Sequence, residues 1–197
     1  AFRRWTYLKL PADDGPPLPS AVKIDISKET TRISLADAWM VRQGGLLRIH
    51  LFGDPRLLGH SHGMLVNRIF EPLELHLDRQ LRTTVPAGMK RWFFENRLRW
   101  QLRGLMDATH PHRLAELAAF ARTIVDTHPF AERPFQRLLN YHALPDVLQA
   151  RRRGALFPSA AFAVWGKQST GGAMLVGRSM ELGLGPAFDR ERALLIV

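Results

Sequence analysis

No cysteine occurs among the 197 residues, which excludes disulfides, thiolate metal sites and a cysteine nucleophile from this chain. Nowhere do roughly 18 apolar residues run uninterrupted, so the sequence holds no transmembrane helix. There is no internal repeat and no low-complexity tract. Acidic residues are in the minority, 18 against 28 Lys and Arg, for a formal charge of +10. Such an excess raises a nucleic-acid or anionic-membrane partner. The cations, however, are mostly arginines scattered along the chain, often beside Asp or Glu, and only Arg151-Arg152-Arg153 forms a run. That distribution marks solvated helix faces more than a phosphate-reading stripe; it argues against nucleic acid and leaves a membrane surface open. The chain begins Ala1-Phe2-Arg3-Arg4 without an initiator Met, as a trimmed, exported (periplasmic or extracellular) product would. What is present is an ordinary 46% of hydrophobic residues, enough to bury a core.

Periodicity divides the chain. Residues 1–34 hold a short apolar piece, Trp5 to Leu10, and then Pro11-Ala12-Asp13-Asp14-Gly15-Pro16-Pro17-Leu18-Pro19, whose prolines forbid a helix. Ser34–Arg42 and Leu46–Phe52 flank Gln43-Gly44-Gly45 and read as a hairpin, with Leu47, Ile49 and Leu51 alternating against Leu46, Arg48, His50 and Phe52. From Met64 the period changes to four, through Leu65, Ile69, Leu73, Leu77 and Leu81, an amphipathic helix that Pro72 should kink or divide. Pro86 restarts a segment carrying Trp92, Leu98, Leu102 and Leu105. His110-Pro111 ends it, and Leu114, Leu117, Phe120 and Ile124 mark another helix, stopped by His128-Pro129. Glu132–Gln149 forms one more, with a break expected near Pro145. The order is strands, a block of helices, then strands again.

Those last strands carry the chemistry. Pro158-Ser159-Ala160-Ala161-Phe162-Ala163-Val164-Trp165-Gly166 and Gly171-Gly172-Ala173-Met174-Leu175-Val176-Gly177-Arg178-Ser179-Met180-Glu181-Leu182 read as a second hairpin. The end of its second strand returns beside the start of its first. Ser159, Arg178 and Glu181 can therefore meet, gathering a nucleophile, a cation and a carboxylate at one end of a sheet. Read blandly, Ser159 opens a strand and Arg178 and Glu181 make a strand-end ion pair worth about 0–1 kcal/mol if exposed.

The same residues resemble the acyltransferase-type N-terminal-nucleophile (Ntn) hydrolases, the group of isopenicillin-N acyltransferase, acid ceramidase, N-acylethanolamine amidase and choloylglycine hydrolase. The family pattern is Cys-Thr-x-hydrophobic, a short strand, a Gly-containing turn and Gly-Arg-Asn-x-Asp. Upstream, Leu51-Phe52-Gly53-Asp54-Pro55-Arg56-Leu57-Leu58-Gly59-His60-Ser61-His62-Gly63 is similar to the family's Gly-x-x-His-Gly segment, and Leu144-Pro145-Asp146 also looks like that branch. The resemblance covers residues 46–197 and implies an α+β chain with an αββα Ntn-type sandwich, incomplete at its C-terminus, with a helical N-terminal region. It divides the chain into an N-terminal extension (1–34), a hairpin plus helical pro-region (35–158) and the start of the catalytic sheet (159–197). The remaining C-terminal part, or a second chain of the same protein, would complete that sheet.

The activity implied is that of a zymogen that cuts itself between Pro158 and Ser159 and then acts as an amidohydrolase or acyltransferase on a small-molecule amide or lipid-amide. No metal and no organic cofactor is called for. Ser159 would attack the carbonyl, its freed α-amino group serving as base; Arg178 would steady the nucleophile or oxyanion, and Glu181 would hold the new ammonium. Ser159 stands where this branch has Cys, Ser179 where it has Asn, and Glu181 where it has Asp. Two alternatives stay open: an inactive homologue or trapped precursor with a binding or scaffold role, and a basic module docking on anionic membrane or nucleic acid. His60 and His62 look like a metal pair, but no third ligand accompanies them, and Gly59 and Gly63 fit a strand-to-helix turn. His110, His112, His128 and His142 are expected to face solvent. Trp92 and Trp100, with Arg91, Arg97, Arg99 and Arg103, form either a basic-aromatic surface or, more commonly for such spacing, core.

Overall fold

The computed structural model describes residues 8–26, 30–43, 45–84, 88–125, 132–151, 161–178 and 192–196, and these form an α+β protein. Four strands come first: β1 (Lys23–Ile26), β2 (Thr31–Leu35), β3 (Ala38–Gln43) and β4 (Leu46–His50). Helices α1 (Pro55–Thr84), α2 (Met89–Leu102), α3 (Leu105–Ala108), α4 (Pro111–Thr123) and α5 (Pro134–Arg151) follow, then strands β5 (Ala161–Gly166), β6 (Gly172–Arg178) and β7 (Arg192–Ile196). One sheet has the order β1-β2-β3-β4-β7; β5 and β6 form a separate two-stranded sheet. The chain falls into two compact units, residues 1–140 with 185–197, and residues 141–184.

In the first unit β1 to β4 form an antiparallel meander, and β7 adds in parallel to β4 with Ile49 opposite Leu195. The expected alternation holds: Leu47, Ile49 and Leu51 are buried with Leu35, Ala38 and Met40. On the other face Trp39 stacks on His50 across the β3–β4 pair, 5.2 Å between ring centroids. The stretch Ser34–Arg42 is not one strand. It turns at Ala36-Asp37 so that Leu35 pairs with Ala38, and Ala36 takes φ 49, a left-handed conformation that an alanine does not advertise in sequence.

Helix α1 runs through Pro72 without dividing, and α5 likewise continues past Pro145 to Arg151. Each helix is anchored before its proline by buried apolar side chains, Leu65 and Val66 in α1 and Phe135, Leu138 and Leu139 in α5. Helix α4 starts at Pro111, with the His110 side chain accepting from the His112 backbone N–H. Helix α1 packs on α4 and on strands β2 and β3, around Leu65, Val66, Leu117, Ala118, Ala119 and Phe120. The proline-rich segment holds no helix, as its composition requires, and is strapped to these helices. Arg56 binds Asp13 and the Pro16 carbonyl, Arg122 binds Asp13 and the Pro11 carbonyl, and His60 Nε2 meets the Pro19 carbonyl at 2.7 Å.

Gly59 and Gly63 do not form a strand-to-helix turn; they lie one turn apart within α1. A methyl group at Gly59 would overlap the Glu116 carbonyl of α4, and one at Gly63 would meet the Thr123 hydroxyl. These glycines let two helix backbones approach closely.

Candidate active site

Strands β5 and β6 pair antiparallel, with Ala161 opposite Arg178, Phe162 opposite Gly177, Ala163 opposite Val176 and Val164 opposite Leu175. A register shift separates the Val164 and Gly166 pairs. The connection turns on Gly166, Gly171 and Gly172, all at positive φ (60, 71 and 73), where side chains other than glycine are disfavoured. Arg178 therefore stands at the end of β6, across from the residue that opens β5. Ser159, its predecessor Pro158, and Glu181 lie outside the described residues, so only the return of the second strand toward the start of the first is observed.

Alternation along the regular part of this hairpin places Phe162, Val164 and Leu175 on one face and Ala163 and Val176 on the other. Phe162, Trp165, Met174, Leu175 and Val176 are each more than half exposed, at 55–68%. Apolar side chains on both faces are the signature of a strand pair built to be covered on both sides. A two-stranded ribbon has little stability in water by itself.

The two histidines that look like a metal pair in sequence have separate partners. His60 meets the Pro19 carbonyl, and the His62 ring stands edge-on to Phe120 at 5.1 Å. His110, His112 and His142 are exposed; His128 lies outside the described residues.

A buried polar cluster among the helices was not anticipated. Glu74 of α1 receives both Nε and Nη2 of Arg137 of α5, at 2.8 and 3.0 Å, with both side chains 4% exposed. Arg137 Nη1 also donates to the Glu132 carbonyl oxygen at 2.8 Å. Arg99 of α2, equally buried, lies 3.9 Å from the Glu132 carboxylate, which also accepts from Asn140 at 3.5 Å. Arg91 links Asp78 to Glu95 at 3.2 and 2.7 Å. One signal was present: along α5, Gln136, Arg137 and Asn140 interleave with Phe135, Leu138 and Leu139, and all six are buried. Each carboxylate faces a guanidinium, so the cluster positions helices and offers no nucleophile.

Burial pushes the Glu132 carboxyl above its usual range, opposed by Arg99 and reinforced by the neighbouring Glu95. A raised carboxyl binds its proton more readily in the folded chain, so this group's contribution falls as pH rises from its ordinary value, about 4.3, through the folded pKa. Asp13 has the opposite sign. Its hydrogen bond to Arg56 holds it below its usual value, and the stability it adds is lost as pH falls. Glu132→Gln should remove this group's loss of stability with rising pH, read in urea melts from about pH 4 upward; a variant keeping the wild-type slope would contradict the assignment.

No family model, no characterised protein and no solved structure matches this chain.

Proposed function

We propose that the chain is the nucleophile-bearing part of an Ntn-type amidohydrolase or acyltransferase, acting on an amide-linked acyl group and maturing by cleavage before Ser159. The observation that carries this reading is the β5–β6 register, which returns Arg178 opposite Ala161, two positions after Ser159. The two-faced apolar hairpin supports it as well, because a sandwich covers a catalytic strand on both sides. The αββα architecture belongs to the same proposal.

The mechanism requires β5 to extend back through Ser159 once cleavage has freed its α-amino group. With a pKa of about 7.7–8.0, that amine can accept the hydroxyl proton near neutral pH. The Ser159 oxygen then adds to the substrate carbonyl, and Arg178 stabilises the developing oxyanion, a role whose loss costs about 10²–10³ in kcat in comparable sites. The proton passes to the leaving amine, and water or an acceptor nucleophile releases the acyl group. Glu181 binds the α-ammonium whenever it forms.

Intact mass and N-terminal sequencing of the expressed protein test the proposal. A fragment beginning at Ser159, absent in Ser159→Ala, is the expected result. A single uncut chain with no amidase activity, unchanged by Ser159→Cys, would overturn it in favour of an inactive homologue.

A further inference from the structure

Helix α2 buries polar side chains while leaving aromatic ones exposed. Asn96 and Arg99 are 6% and 3% exposed, and Arg91 and Glu95 bond to each other and, through Arg91, to Asp78 on α1. Met89, Trp92, Phe93 and Trp100 are 74%, 48%, 60% and 52% exposed. Met89, Phe93 and Trp100, at spacings of four, seven and eleven residues, share one exposed stripe, and Trp92 stands at its edge beside the buried Asn96 and Arg99. Trp92 and Trp100 are therefore surface residues, and the core packing that their spacing commonly signals does not occur.

The charge bordering this stripe has one sign. Arg97 is exposed beside it and has no ion-pair partner among the described residues. Arg103, at the helix end, lies over the Trp100 ring, 4.2 Å from its centroid. Between Met89 and Leu102 the one carboxylate is Glu95, bonded to Arg91 on the inner side. An apolar stripe with Trp and Phe, bordered by arginines and free of outward carboxylates, matches the headgroup boundary of an anionic bilayer: aromatic rings settle at the interface and guanidinium groups meet the phosphates. No helix among the described residues is long and apolar enough to cross a membrane, so the geometry is that of a helix lying on the surface. The +10 charge of the whole chain draws it toward the same surface.

We infer that the Met89–Trp92–Phe93–Trp100 face of α2, with Arg97 and Arg103, docks on an anionic phospholipid surface. This docking does not depend on Ser159 chemistry and is measured without any activity assay.

The test is flotation of the full chain with vesicles of phosphatidylcholine alone and of phosphatidylcholine with about one-quarter phosphatidylserine. Tighter binding to the anionic vesicles, weakened by high salt, is expected. Arg97→Gln with Arg103→Gln should weaken it roughly 30-fold, at about 1 kcal/mol per cation near the surface. Trp92→Ser with Trp100→Ser should weaken it at least about tenfold through lost apolar burial, in a chain that still unfolds cooperatively because about half of each ring is outside the fold. Phe162→Ser with Trp165→Ser, on the β5–β6 hairpin, should leave it unchanged. Equal binding to neutral vesicles, or loss of binding in the hairpin variant but not in the α2 variants, would overturn the inference. So would a self-associated chain in solution that Trp92→Ser with Trp100→Ser disperses, because the face would then be occupied by a second copy.

Discussion

Arg137→Met should lower the unfolding free energy by about 3–5 kcal/mol, a large share of the roughly 5–15 kcal/mol that holds a typical domain together. The guanidinium makes a two-pronged contact with Glu74 and a third bond to the Glu132 carbonyl, all at 2.8–3.0 Å. Methionine fills much the same volume but supplies no donor, so the Glu74 carboxylate, 4% exposed, loses the cation that makes its burial tolerable. The cost comes mainly from leaving that charge in the interior, and much less from the pair's net worth. A second substitution separates the two. Glu74→Leu combined with Arg137→Met should recover most of the loss, with a coupling energy of about 2 kcal/mol or more in the double-mutant cycle. Urea melts of the four proteins measure it. A single-variant cost below about 1 kcal/mol would show that the pair is solvated and interchangeable, like a surface bridge.

The period of apolar residues made much of this fold legible. Leu47, Ile49 and Leu51 announced which side of β4 is buried, and the Gly-rich link between Trp165 and Ala173 announced the β5–β6 hairpin. What the pattern could not carry was which face of a helix points inward when both faces have partners other than water. In α2 Arg91 and Arg99 find Asp78, Glu95 and Glu132, so these two cations are held inside while Trp92 and Trp100 stay exposed. Glu74 and Arg137 are 63 positions apart, and no local spacing links them. Pro72 and Pro145 are strong breakers in isolation, yet neither divides its helix. Of the candidate catalytic corner, the return of β6 was legible from hairpin logic; the positions of Ser159 and Glu181 lie outside the described residues.

Gly59→Ala reverses the sign that local propensity predicts. In an exposed helix interior, alanine is about 0.8–1 kcal/mol better than glycine, so helix propensity alone would make the variant more stable. Packing opposes this, and more strongly. The added methyl overlaps the carbonyl oxygen and carbon of Glu116, which are backbone atoms of α4 and cannot rotate away, so one helix must shift against a close-packed neighbour. Overpacking of that kind costs about 1–3 kcal/mol and occasionally more; a clash with main chain belongs at the upper end, for a net loss of about 2 kcal/mol. Two other glycines bracket the prediction. Gly63→Ala meets first the Thr123 hydroxyl and only then, at 3.2 Å, the Phe120 carbonyl; a rotating side chain can yield, so its loss should be smaller. Gly104 has no atom within 4 Å of an added methyl and an ordinary φ of -89, and Gly104→Ala should stay within about 0.5 kcal/mol of wild type. The order Gly59 worst, Gly63 intermediate and Gly104 neutral in denaturant melts is what a close helix crossing produces. Equal tolerance at Gly59 and Gly104 would mean that α1 and α4 do not touch backbone to backbone.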